Sequence, residues 1–194
     1  MGILLFIRHI FLLGPKHSGK TSAGRELSKL LEGGFVDMDE LIEAQTGKSA
    51  RALFRESPSV FRAAEQRALE SLFSLHAEEG APPLVTASGG GIIDNPGAMR
   101  LLLEADGLFL VNVETPAETA WERILAAAER SGDMPPFLET ENPRETHRLL
   151  HERRAAAYRD IASLTVRSES KAPDEIGREI LQALKLLSDK SNKI

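Results

Sequence analysis

The chain has 194 residues, 42% of them hydrophobic, which suits one domain around one substantial core. Its 29 acidic residues outweigh 24 basic ones, and the formal net charge of −5 excludes a general nucleic-acid binder, which carries a basic imprint. Cysteine is absent, so disulfides and thiolate metal sites are excluded, in keeping with a cytoplasmic protein.

The opening stretch MGILLFIRHIFLLG is apolar, but Arg8 and His9 interrupt it and no small-residue cleavage site precedes Gly14. A membrane span would need about 20 apolar residues. The segment reads as a short leader and a buried strand, Ile10–Leu13. Lys20–Leu31 follows as an amphipathic helix, and Phe35-Val36 as a second strand. Leu41–Arg55 is a helical region broken at Gly47, and Val60–Ala77 a longer helix with Phe61, Ala64, Ala68, Leu72 and Leu75 near one face. Leu84–Ala87 is a third strand running into Ser88-Gly89-Gly90-Gly91. Asn95-Pro96 opens a helix that ends before the fourth strand, Leu108–Val113. Pro116–Arg130 is helical, Ser131–Pro143 is loop-like, and Arg144–Ile161 is helical again. A weak fifth strand, Leu164–Arg167, precedes the closing helix Pro173–Leu187 and a polar, frayed tail from Ser188. Strands separated by helices predict a parallel sheet covered on both faces, with ligands at the carboxyl ends of the strands. No internal repeat is visible, so residues 1–194 read as a single domain.

Gly14-Pro15-Lys16-His17-Ser18-Gly19-Lys20-Thr21 fits G-x-x-x-x-G-K-[ST], the P-loop pattern, between a predicted strand and a predicted helix. Small residues let backbone N–H groups turn inward around phosphate oxygens, and the helix points its positive end at the same anion. Gly14, His17, Ser18, Gly19, Lys20, Thr21 and Ser22 form the expected ATP cradle. Lys20 would reach the β- and γ-phosphates, and the Thr21 hydroxyl would ligate Mg²⁺. The His17 imidazole is expected to face solvent.

Phe35-Val36-Asp37-Met38-Asp39 puts two carboxylates two residues apart at a strand end; if the strand continues, both point to one side. Phosphoryl transfer needs one acid for the metal and one to orient or deprotonate the acceptor hydroxyl, and Asp37 and Asp39 take those roles in that order. Asp39 could instead cap the helix starting near Leu41. Arg62 and Glu65 share a helical face at i, i+3, as an exposed ion pair or as a guanidinium held ready for a substrate carboxylate. The triplet Gly89-Gly90-Gly91 costs backbone entropy that a plain turn would not require, and suits backbone close to a ligand. Spacing alone gives Arg154 no preference. His147 and His151, at i, i+4, read as a solvated helix face, and Trp121 as packing.

Together, GPKHSGKTS, FVDMDELIEAQTGKS, FRAAE, SGGG and RRAAAYRD resemble the shikimate kinases from about Ile10 to Leu184. The resemblance implies a three-layer α/β P-loop kinase fold, with a five-stranded parallel sheet of order 2-3-1-4-5 and helices on both faces. It implies ATP-dependent phosphorylation of the shikimate 3-hydroxyl by a cytoplasmic monomer, without nucleic acid or membrane. Lys20 and Asp39 would be catalytic, with Thr21 and Asp37 serving magnesium. Asp39, Arg62, Gly89, Gly90, Gly91 and Arg154 would bind shikimate in an acceptor region of about 38–77, and Lys171 and Pro173 would flank adenine. The family's mobile lid, about 131–143 here, carries Arg-Pro-Leu-Leu, whereas this chain has Pro135-Pro136-Phe137-Leu138. Arg130, ahead of Arg144, is then the candidate lid cation. The alternatives are a kinase of another hydroxy acid such as gluconate, and a nucleotide-binding module that has lost turnover.

Overall fold

Every second residue of the first strand faces the opposite side of a pleated sheet, and in β1 (His9–Leu13) both sides are apolar. Phe11 and Leu13 enter one core and Ile10 and Leu12 another, all fully buried. A strand buried on both faces belongs at the middle of a parallel sheet. In the computed structural model, which describes residues 7–74 and 82–191, β1 lies there. It pairs in parallel with β3 (Leu84–Ala87) and β4 (Leu108–Glu114); β2 (Phe35–Asp37) pairs with β3, and β5 (Leu164–Arg167) with β4. The order β2-β3-β1-β4-β5 is the one expected from the resemblance.

One core joins Phe11, Leu13 and Leu110 to α2 (Met38–Thr46), α4 (Pro58–Ser74), α5 (Pro96–Glu104) and Tyr158 of α7 (Pro143–Ile161). The other joins Ile10, Leu12, Val85, Val111 and Val113 to α1 (Lys20–Leu30) and α8 (Pro173–Ser191). Two short apolar layers therefore carry helices on both faces of the sheet. The remaining helices, α3 (Ala50–Glu56) and α6 (Ala117–Ser131), flank the carboxyl ends of the strands. Among the described residues, no helix is long and apolar enough to cross a membrane.

The local signals acted largely as their chemistry dictates. Gly47 ends α2 in the left-handed region at φ 69°, Asn95 accepts a bond from the Ala98 N–H at the start of α5, and Gly132 closes α6 at φ 70°. Several boundaries moved by a residue or two, and two moved further. The helix expected from Leu41 begins at Met38, because Asp37 accepts the Asp39 N–H and caps it there. The closing helix runs past Leu187 to Ser191, so Ser188–Ser191 is helical rather than frayed. The expected leader, Leu75–Ala77 of the predicted long helix and the last residues of the tail lie outside the described residues.

Gly24 shows how tightly α1 seats on the sheet: a Cβ there would lie 2.6 Å from the Phe35 ring and 3.0 Å from Leu12. Gly24→Ala should lower stability by about 1–3 kcal/mol through overpacking, despite alanine's better helix propensity. Urea denaturation of both proteins measures the difference.

Candidate active site

The chain leaves β1 through Gly14 at φ 138°, where a Cβ would stand 2.4 Å from the Val113 carbonyl oxygen. It enters α1 through Gly19 at φ 94°, which no side chain caps, so the first N–H groups of the helix are left for an anion. Lys20 is buried in the resulting loop. Its Nζ donates to the Gly14 carbonyl at 3.0 Å and the Pro15 carbonyl at 2.7 Å. Burial lowers its ammonium to about 8; the charge of Lys16 adds to this, and those of Asp39 and Asp37 oppose it. His17 is half-buried rather than solvent-facing. Burial, with Lys16, Lys20, Arg123 and Arg130, pushes its imidazole down to about 4, so it is neutral at pH 7. Its carbonyl accepts a bond from Arg123 Nη1 at 3.0 Å.

The two aspartates do not extend a strand, since β2 stops at Asp37, yet both line the same cavity. Thr21 Oγ1 donates to Asp37 Oδ2 at 2.7 Å, while Asp37 Oδ1 performs the capping considered for Asp39. Asp39 is thereby free to open into the cavities. Surrounding protein still excludes enough bulk water to raise its carboxyl; Lys16 opposes the rise and Asp37 adds to it.

Two cavities meet here. One of about 600 Å³ holds the phosphate loop, Asp37, Arg123 and Arg130, and extends to Lys171 and Pro173. The other, of about 290 Å³, is walled by Phe54, Phe61, Pro135, Phe137 and Arg154. Lys16, Asp39, Gly89 and Gly90 line both. Gly90 is required at this junction: a Cβ would stand 2.6 Å from the Lys16 nitrogen and 2.9 Å from its Cα. The Gly90 carbonyl accepts bonds from Arg154 Nη1 and the Tyr158 hydroxyl, each at 3.2 Å. Gly91 leaves room for the Arg154 guanidinium, which also donates to Asp94 Oδ2 from Nε at 2.9 Å and Nη2 at 2.7 Å. At Gly89 a Cβ would stand 3.4 Å from Asp39 Oδ1 and Glu65 Oε1, an ordinary contact.

The expected Arg62–Glu65 pair does not form. Glu65 turns into the core, where Asn95 Nδ2 donates to it at 2.9 Å. Arg62 is exposed, makes no side-chain hydrogen bond or ion pair among the described residues, and is absent from the lining of both cavities. Arg144 pairs with Glu118 away from the site, whereas Arg130 lines the nucleotide-side cavity. The segment after α6 is held by Arg51 and Arg55, which both bind Asp133, and by Arg55 on Glu139; Leu138 is fully buried. His147 and His151 are buried rather than solvated. His147 packs between Trp121 and His151, and His151 Nε2 lies 2.9 Å from the Thr115 carbonyl. Among the described residues no cluster could hold a metal through three His, Asp or Glu side chains.

Lys16, Arg51 and Arg123 were missed in the sequence. Lys16 carried a signal, a second cation inside the phosphate loop. Arg51 and Arg123 reach the site only through the fold, and nothing local marks them.

The shikimate kinase family model matches residues 16–185. A shikimate kinase of Vibrio parahaemolyticus is 35% identical over 178 residues, covering 91% of this chain and 96% of the relative. One from Acinetobacter baylyi is 33% identical, covering 91% of each. A solved shikimate kinase from Acinetobacter baumannii, in complex with shikimate, superposes with a TM-score of 0.78 at 32% identity, covering 97% of this chain and 96% of that one. A gluconokinase from Sinorhizobium meliloti, at 18% identity and a TM-score of 0.59, shares the fold alone.

Glu65 offers a pH test of this geometry. Burial, helped by the charge of Asp39, raises its carboxyl from 4.5 to about 7, against the Asn95 bond and the charges of Arg62 and Arg154. Between those values the folded protein keeps a proton that the unfolded chain releases. The stability from this group is full below 4.5 and is lost as pH rises through 7. The stability of Glu65→Gln relative to wild type should therefore improve from about pH 5 to about pH 8. Urea denaturation across that range should show no such trend if Glu65 ionises normally.

Proposed function

The chain belongs to the shikimate kinase family, and we propose that it transfers the γ-phosphoryl group of ATP to the 3-hydroxyl of shikimate, giving 3-phosphoshikimate and ADP. The observation that carries this reading is the single carboxylate, Asp39, that lines both the nucleotide-side cavity and its smaller neighbour. A hydroxyl in the small cavity meets a base with a raised carboxyl pKa, directly beside the phosphate loop.

The triphosphate takes the N–H groups at the start of α1, and Lys20 exchanges its loop carbonyls for phosphate oxygens. Arg130, Lys171 and Pro173 surround the nucleoside end of that cavity. Thr21 and Asp37, a hydroxyl and a carboxylate already in contact, are the hard oxygen donors that suit Mg²⁺. The ion would supply positive charge against the phosphates. Arg154 and the backbone of Gly89–Gly91 hold the acceptor carboxylate, with Arg62 folding over it on binding. The segment 131–143 serves as the lid, and Phe54, Phe61 and Phe137 exclude water from the acceptor. The acceptor oxygen bonds to the γ-phosphorus as the bond to the bridging oxygen breaks; the hydroxyl proton passes to Asp39 and ADP leaves. The protein acts in the cytoplasm as a monomer.

A coupled ADP-release assay with shikimate, with gluconate and without acceptor tests this. Turnover with shikimate alone is expected; turnover with gluconate alone, or ATP binding without turnover, would refute it. Asp39→Asn should lower kcat by roughly 10²–10⁴-fold with nucleotide affinity little changed. Lys20→Ala should abolish transfer, and Arg62→Ala should raise the acceptor KM far more than that of ATP.

A further inference from the structure

Phosphoryl transfer spreads negative charge over the equatorial oxygens of the moving group, and a cation aimed at that position is a large contribution to the rate. The moving group must cross from the nucleotide-side cavity to the acceptor cavity. Among the described residues four line both, and of these Asp39 and Lys16 are the charged ones. Asp39 is the base, which leaves one cation on the seam.

The other cations are committed or displaced. Lys20 and Arg123 line the nucleotide side only, Lys20 serving the phosphates of ATP there and Arg123 bonded to the His17 carbonyl. Arg130 also lines the nucleotide side only, Arg154 is bound to Asp94, and Arg51 is bound to Asp133. From the segment after α6, the acceptor cavity receives Pro135, Pro136 and Phe137, none of them charged. Lys16 makes no side-chain hydrogen bond or ion pair among the described residues, and its charge acts on both Lys20 and Asp39. Its backbone is fixed by the close approach of Gly90.

We propose that Lys16 is a catalytic residue whose ammonium follows the phosphoryl group across the seam and neutralises it in transit. This rests on the kinase reading above. Lys16 forms no bond and gives up no proton: the acceptor oxygen gains the phosphorus, the bridging oxygen keeps the electron pair of the broken bond, and Asp39 takes the proton. Lysine can do this because its ammonium is a point charge on a flexible stem that can track a moving anion.

The test is Lys16→Met, which keeps the length and removes the charge, assayed with ATP and shikimate beside wild type and Lys16→Arg. Lys16→Met should lower kcat about 100-fold, the scale of losing one transition-state donor, while both KM values move less than about threefold. Lys16→Arg should retain most of the rate. Pro135 lines two cavities with Lys16, so Pro135→Arg added to Lys16→Met should recover at least about tenfold by placing a new cation there. A kcat for Lys16→Met within about twofold of wild type would overturn the proposal, as would a loss confined to KM. Binding of ADP with aluminium fluoride gives a readout independent of acceptor identity. Lys16→Met should weaken it much more than it weakens ADP alone; equal effects overturn the role of Lys16 even if shikimate proves not to be the acceptor.

Discussion

The approach of Gly90 to the backbone of Lys16 fixes the distance between two loops that leave different strands, and the site depends on that distance. A side chain at position 90 would collide with main-chain atoms, which cannot rotate away as a side chain can. The phosphate loop and the glycine triplet leave β1 and β3, which are hydrogen-bonded neighbours in the sheet. Their ends are therefore brought together by the register of the sheet and locked by the absence of one methyl group. Arg154 and Tyr158 then hold the Gly90 carbonyl from the far side, tying α7 to the same point.

Around that seam the charges are arranged so that few are fully neutralised before a ligand arrives. Lys20 is buried against carbonyls rather than carboxylates, which is why burial lowers its ammonium so far. Glu65 is buried with one amide donor and no direct cation, so burial dominates it as well. Asp94 shows the opposite case: burial acts against its charge, but Arg153 and Arg154 outweigh that and hold its carboxyl below the ordinary range. A triphosphate would supply the anionic partner that Lys20 lacks. This is the pre-organisation expected of a site that binds transferring charge.

The sheet, its strand order and the phosphate loop were legible because each rests on local pattern. Apolar runs set the strands, the family resemblance supplied their order, and glycine with lysine marked the loop between β1 and α1. The pairing of Arg62 with Glu65 was misread for a definite reason: i, i+3 spacing shows that two side chains share a helical face but not whether that face meets solvent or core. Asn95, thirty residues away, drew Glu65 inward. The capping of α2 went to Asp37 rather than Asp39 because strand and helix abut without a linker, a boundary that periodicity does not resolve. His147 and His151 read as a solvated face from their i, i+4 spacing, but α7 lays them against Trp121 and Thr115.

The segment after α6 is pinned in two unlike ways. Leu138 is fully buried, an anchor that does not depend on the medium, whereas Asp133 and Glu139 are gripped by half-exposed arginines of α3. Counter-ions compete with the second kind of hold and leave the first untouched. In concentrated salt the flap should pivot about its greasy foot and let captured molecules escape sooner, so ionic strength would act on residence time before it acted on folding.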